Sequence, residues 1–316
     1  MLAEMPIIGL GTYIGLEGKT VLPRDERLQV VEETIISALE LGYRHLDLAP
    51  SYDNLPAVKN ALHRAFTPIK QGGLGLQRDE LWITMKANPQ VGIWPIHELL
   101  QALELQYFDL FLWHLPHAGS HFDSEERLTQ RWQALSAFDT AILPRIGVSN
   151  FYLPHLERLL AVSEKEGLRQ PYANQIAYNL AEQPVDLLKF HQQHAIKTMA
   201  YSPLGFQFST MLAELPSVLN LAQQIDSDPA QAQLAWLMAK DITVIPASVS
   251  KPHLQSNLAA MQYVDVVKSI PAMSQALDQD LTYSDIFMSC SATVQAAKQH
   301  AEELEWDVAH GHGLTL

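Results

Sequence analysis

Four side chains stand out for the chemistry they could do together: Asp47, Tyr52, Lys86 and His114, a carboxylate, a phenol, an ammonium and an imidazole. Brought to one place, such groups hold and pass protons in general acid–base catalysis. Asp47 and Tyr52 share the stretch Gly42-Tyr43-Arg44-His45-Leu46-Asp47-Leu48-Ala49-Pro50-Ser51-Tyr52-Asp53-Asn54. It starts as a strand pattern, Arg44 to Leu48, and breaks at Pro50. Asp47 therefore falls at the strand's carboxyl end, with Tyr52 in the loop beyond. Taken singly, each has a plainer reading, since a buried Asp often caps backbone and a loop Tyr often sits on the surface. What decides between the readings is what the rest of the chain places beside them.

The positioning elements are legible from periodicity. Ile7-Ile8-Gly9-Leu10-Gly11-Thr12 reads as a short buried strand ending in a Gly-rich turn. Leu28, Val31, Ile35 and Ala38 line one face of a helix over 27–41, which Gly42 closes. Strand 44–48 comes next, then a helix with Val58, Ala61, Leu62 and Ala65 on one side and a Gly- and Pro-containing connection, 67–77. Further strands are predicted at 81–86, 108–113, 145–148, 172–176, 196–200 and 242–245. Helices are predicted near 95–106, 125–138, 153–162, 185–193, 209–225, 229–240 and 251–261.

Eight strand–helix units, with no antiparallel hairpin signal between them, imply an α/β chain closed as a (β/α)8 TIM barrel. A doubly wound open sheet is the rival, but it would normally announce a Gly-x-Gly-x-x-Gly turn after a strand, and no such run is present. The barrel is expected over residues 1–263, with 264–316 as a C-terminal extension. In such a barrel the active site lies at the strands' carboxyl ends. Those positions read Thr12, Asp47, Lys86, His114, Ser149-Asn150, Gln175, Tyr201-Ser202 and Ser248. Polar residues commonly end strands, yet ionisable groups of four kinds on one mouth are hard to obtain from solubility alone.

Composition narrows the partners. With 21 basic against 35 acidic residues the formal charge is −14, which disfavours nucleic acid or an anionic membrane surface. No run of 18 apolar residues and no signal-peptide pattern is present, and the single cysteine, Cys290, allows no intrachain disulfide. A cytoplasmic setting is expected. His310-Gly311-His312 offers two metal ligands, but a Gly-rich tail of this kind reads as disordered, so no metal is expected.

Between Met5 and about Met261 the chain resembles the aldo-keto reductases. The resemblance is carried by Met5-Pro6-Ile7-Ile8-Gly9-Leu10-Gly11-Thr12, Gly42 to Asp47 with Tyr52, Ile83-Thr84-Met85-Lys86 and Asp109 to Pro116. It continues through Ile146 to Phe151, Asn174-Gln175, Ala200 to Gly205 and Val244-Ile245-Pro246. It implies reversible hydride transfer between NAD(P)H and an aldehyde or ketone, with Asp47, Tyr52, Lys86 and His114 as a catalytic tetrad. Tyr52 would supply the proton, although a phenol's ordinary pKa of about 10 is high for that work. Lys86 would lower it, Asp47 would hold Lys86 charged, and His114 would orient the substrate oxygen. Ser149, Asn150 and Gln175 would bind a nicotinamide carboxamide and Tyr201 would stack on its ring. Gly11, Thr12, Ser202 and Leu204 would line the nucleotide groove, with Ser202 and Leu204 along the pyrophosphate. Ser248 and Asn257 remain from the motif that follows the last strand.

That motif is otherwise altered. Ala247 stands where the family has Lys, His253 where it has Arg, and Ser256 where it has Glu. Without the two cations that grip a 2′-phosphate, NADP preference should fall, with NAD use or weak binding of either nucleotide. The alternative is that Lys251 substitutes for them from a shifted position. The substrate pocket, read from Tyr13, Ser51, Asn88 and Leu115, is less aromatic and more polar than in reductases of bulky apolar carbonyls. A helix over 289–306 would make Trp306 either a lid residue or part of the outer wall. Two other readings stand beside the reductase: a redox-neutral proton-transfer enzyme (a dehydratase or isomerase) on the same barrel, and a non-catalytic interaction protein of the same family.

Overall fold

The computed structural model describes residues 4–14, 22–89, 93–118, 121–122 and 125–279. Trp306, the 289–306 helix, Cys290 and His310-Gly311-His312 lie outside these residues. Eight parallel strands form one sheet in the order β1 (Leu10–Gly11), β2 (His45–Leu48), β3 (Trp82–Ala87), β4 (Leu110–Trp113), β7 (Ile146–Ser149), β8 (Ala173–Ala177), β9 (Lys197–Tyr201) and β10 (Thr243–Ile245). The ends meet where Ile8 bridges Val244 in parallel, with Gly9 N–H donating to Val244 O at 2.9 Å and Gly11 N–H to Pro246 O at 3.1 Å. The expected (β/α)8 barrel is what the chain forms.

Helices fill the crossovers: α1 (Arg24–Leu41), α2 (Leu55–Phe66), α3 (Ile96–Leu103), α4 (Glu125–Ser136), α5 (Leu153–Glu166), α6 (Val185–Gln193), α7 (Ser209–Ala213), α8 (Pro216–Gln224), α9 (Pro229–Ala239) and α10 (Lys251–Ala259). α1 stops where Gly42 turns to φ +108°, a conformation an L side chain rarely adopts. α11 (Val264–Ser269) and α12 (Pro271–Gln279) pack against α9 and α8, where Leu277 is fully buried and Trp236 Nε1 donates to Asp278 at 2.9 Å.

Alternation along each strand sorts side chains between two cores. Trp82, Leu110, Leu112, Ala173, Met199 and Ile245 meet inside the barrel. Phe111, Trp113, Ile83 and Met85 belong to the larger core between strands and helices. Burial on both faces is why β4 reads as an unbroken apolar run. The inner floor is plugged by Met5, Trp82 and Tyr172, with the Arg145 guanidinium 4.7 Å over the Trp82 ring. Above it, His45 Nε2 and Trp82 Nε1 both meet the Thr84 hydroxyl, at 2.9 and 3.1 Å.

Two expectations change. A short antiparallel pair, β5 (His117–Ala118) with β6 (His121–Phe122), follows β4 where a plain loop without hairpin signal was expected. The intervening Gly119-Ser120 is a two-residue hairpin signal in its own right. The helix expected over 209–225 is two helices, because Pro216 takes the first position of α8 behind an extended Leu215.

Candidate active site

β3 places Trp82, Thr84 and Lys86 on the barrel's inner side by simple alternation, and the register sets Asp47 of β2 beside Thr84 and Gly11 of β1. Lys86 thus enters the interior above the Thr84 level, with 1% exposure, and its Nζ donates to Asp47 Oδ2. The other carboxylate oxygen, Oδ1, accepts from Gln175 Nε2 at 2.7 Å. Thr12, fully buried, fastens the same residue from below by donating its hydroxyl to Asp47 O at 2.7 Å. A carboxylate with two donors is a fixed counter-ion rather than a free base.

From Gln175 the network runs to the other strand ends. Ser149 Oγ donates to Gln175 O at 3.0 Å, and Asn150 Nδ2 reaches Ser149 Oγ at 3.1 Å and His114 O at 3.0 Å. Asn150 holds φ +61°, a left-handed conformation that Asn tolerates better than most residues, which turns its amide across the mouth. Its Oδ1 accepts from the Tyr201 hydroxyl at 2.9 Å.

Tyr52 ends a single 3₁₀ turn, Pro50–Tyr52, beyond β2. Lys86 Nζ lies 5.1 Å from its ring centroid, and the His114 and Tyr13 rings meet it edge-on with centroids 6.3 and 5.1 Å away. Burial raises the phenol's pKa. The charge of Lys86 acts downward without overcoming burial, and the charge of Asp47 adds to the rise. The expected lowering by Lys86 is thus present as one influence, and the net direction is upward, because burial disfavours phenolate more than one ammonium favours it. Burial also works against the Lys86 ammonium, but Asp47 and Tyr52 outweigh it and raise its pKa. His114 is pushed down to about 4 by burial and by Lys86, so its imidazole is neutral at pH 7 and keeps one N–H to donate.

The remaining expected residues divide. Asn88 Oδ1 accepts from Leu115 N–H at 3.0 Å, which shapes the turn after β4, while Ser51 is exposed on the 3₁₀ turn. Leu204 is half-buried against the outer core, and Ser202, at φ +48°, accepts on its carbonyl from Asn179 Nδ2 at 3.2 Å. Ser248 Oγ accepts from Ser250 N–H at 3.1 Å, and Asn257 is buried on α10. These four lie apart from the hydrogen-bonded network of the tetrad. Lys251 pairs with Glu40 of α1 at 2.9 Å. Asn54, buried just past Tyr52, escapes sequence reading; its Nδ2 donates to Thr12 O at 2.6 Å and ties the phenol's loop to the first strand.

Eight parallel strands with helices between them, and with Lys86, Asp47, Tyr52 and His114 gathered at the carboxyl mouth, define a TIM-barrel protein. Residues 7–277 match the Aldo/keto reductase family, and the chain belongs to that family. It is 32% identical to an aldo/keto reductase of Synechocystis sp. over 89% of this chain and 88% of that protein. It is 30% identical to the methylglyoxal reductase of Yersinia pestis, over 82% of this chain and 84% of that one. Among solved structures, an aldo-keto reductase from a Medee basin deep-sea metagenome library superposes with TM-score 0.69 at 25% identity, covering 85% of this chain and 92% of that one.

Proposed function

We propose that this protein reduces small aldehydes or ketones reversibly with a nicotinamide dinucleotide, Tyr52 acting as general acid and base. One observation carries the reading: the Lys86 ammonium, clamped by Asp47 inside the barrel, lies 5.1 Å from the ring centroid of Tyr52, which also meets a neutral His114 edge-on. Bound NAD(P)H would supply the hydride to the carbonyl carbon. Gln175 turns its amide nitrogen to Asp47, which leaves its carbonyl oxygen for a carboxamide donor, and Tyr201 is anchored through its hydroxyl with its ring at the mouth. That donor and acceptor set suits a nicotinamide end. Ser149 and Asn150 would complete it, with Gly11, Thr12, Ser202, Leu204, Ser248 and Asn257 along the rest of the groove.

His114 donates its N–H to the substrate oxygen and fixes it. Tyr52 transfers its proton to that oxygen as negative charge builds there, and Lys86 stabilises the phenolate left behind. Asp47 keeps Lys86 protonated through the cycle, and solvent restores the phenol. A buried phenol that retains its proton at neutral pH is suited to act as the acid in reduction. The same groups run in reverse for alcohol oxidation. The pocket residues Tyr13, Ser51, Asn88 and Leu115 favour a small, polar carbonyl, and methylglyoxal is a natural first substrate, given the Yersinia pestis relative.

The phosphate end of the groove supports NAD over NADP. Ala247 and His253 are exposed and carry no fixed cation, and Lys251 is neutralised by Glu40. The same feature is what favours a redox-neutral proton-transfer enzyme as the second reading. Titrating NADH and NADPH by fluorescence, with a small-aldehyde panel and Tyr52→Phe alongside, separates the two. Turnover that vanishes in Tyr52→Phe while nucleotide binding persists supports the reductase; binding of neither nucleotide sinks it.

A further inference from the structure

α1 begins beside the loop that carries the phenol. Arg27, in its first turn, is only 5% exposed, although it is a cation on a helix whose buried face is otherwise mostly apolar. Its Nη1 donates to the backbone carbonyls of Tyr52 and Asp53, each at 3.2 Å, and its Nη2 donates to Asp53 Oδ2 at 2.7 Å. Asp53 holds φ +47°, a left-handed conformation that persists in a non-glycine residue when its surroundings over-determine it. Arg24, exposed one turn back, forks onto the same carboxylate from Nε and Nη2 at 3.0 Å each. On the opposite side Asn54 fastens the loop to Thr12.

Burying a guanidinium is costly unless its donors are met by acceptors in good geometry. Among the described residues, every acceptor the Arg27 guanidinium meets belongs to Tyr52 or Asp53, where the turn ends. Core packing would be served better by Leu or Met, and solubility by an exposed residue. We propose that Arg27 is a positioning residue for the phenol: holding the Tyr52 and Asp53 carbonyls, with the Asp53 carboxylate as counter-ion, it sets how closely the Tyr52 hydroxyl approaches Lys86 and so the rate of proton transfer. The inference rests on the reading of Tyr52 as acid and base. A misplacement of about 1 Å in such a constellation costs on the order of 100-fold in rate.

The experiment compares full-length Arg27→Met, Arg27→Lys and Arg24→Ala by single-turnover oxidation of the bound reduced dinucleotide with methylglyoxal, from neutral to alkaline pH. Dinucleotide affinity is measured separately by fluorescence. Arg27→Met is expected to slow the step at least about tenfold, to leave the Kd within about twofold, and to move the alkaline pKa of the rate upward. The upward direction follows because a phenol that drifts from the ammonium loses the influence that lowers its pKa. Arg27→Lys should fall between, keeping the charge but not the fork, and Arg24→Ala should stay within about twofold of wild type. A wild-type rate and pH profile in Arg27→Met overturns the proposal. So does a loss that is equal at every pH and matched by lost binding capacity, since that reports only less folded protein. If Arg27→Met fails to fold, Asp53→Asn carries the test, with the same upward displacement expected and its absence overturning. Tyr52→Phe in parallel keeps two failures apart: turnover surviving there strikes the phenol's role, whereas a silent Arg27 beside an inert Tyr52→Phe strikes only the positioning.

Discussion

Asp47 and Lys86, with side chains 4% and 1% exposed, make a buried ion pair. Removing one partner leaves an uncompensated charge in the interior, which costs about 3–5 kcal/mol, whereas replacing both is often nearly neutral. Lys86→Met is therefore expected to cost stability on that scale in urea unfolding and to lower turnover by about 10²–10⁴-fold. Asp47→Asn combined with Lys86→Met should regain much of the stability and none of the activity, and stability that fails to return would contradict the account of the pair. Two other buried residues predict the acid limb. His45 and His191, both fully buried, are pushed down to about 4 by desolvation, against an ordinary value of about 6.5. The unfolded chain binds their protons first as pH falls. The stability tied to keeping them neutral is thus complete above pH about 6.5, lost progressively toward about 4, and worth at most about 3 kcal/mol each. Urea midpoints that stay flat across that window would contradict it.

At the scale of elements, β7 and β8 approach closely at Gly147. A Cβ on Gly147 would lie 2.4 Å from Ala173 O and 2.8 Å from Leu112 Cδ2. The first is backbone of the neighbouring strand, so Gly147→Ala should destabilise by about 3 kcal/mol or more and be read as a lower thermal midpoint. Gly147 shows where the sequence stops speaking. The strand around it is legible from Ile146 and Val148, but the neighbour it must admit is set by a register that no local pattern encodes. The same holds for α1, where periodicity finds Val31, Ile35 and Ala38 yet passes over Arg27, since a cation reads as the solvent face until its acceptors are known. Lys86 and Asp47 are legible because period-two alternation and strand-end position suffice to aim them. Asn54 and the link from Tyr201 to Asn150 are not, because each depends on loop conformation, a left-handed φ at Asn150 in the second case. The split between α7 and α8 is marked in the sequence by Pro216, which cannot continue a preceding helix.

For the molecule as a whole, the formal charge is −14. On the proposed reading NADP would bring an additional phosphate dianion to this acidic protein, and Ala247 and His253 would supply no Lys or Arg to meet it. No helix among the described residues is long and apolar enough to cross a membrane. Ala247→Lys with His253→Arg is expected to tighten NADPH binding by at least about tenfold, since Arg–phosphate contacts are charge-assisted and paired, and to leave NADH within about threefold. Glu40→Gln, which releases Lys251, should act in the same direction and more weakly, as befits a half-exposed ion pair. Raising ionic strength should erode the gain, and a gain shared equally by NADH would show that the phosphate was not what the new cations met. The last consequence concerns how the ring is joined. β1 is two residues long, and the barrel's ends meet through one bridge at Ile8 and backbone hydrogen bonds at Ile7, Gly9 and Gly11. This is the stave with the least ladder to hold it, and it runs directly into Thr12 and Tyr13 at the mouth. Amide protons of Gly9 and Gly11 should trade with deuterium sooner than those of β3 or β8, and a nucleotide lying across the joint would act as a hoop, slowing that trade.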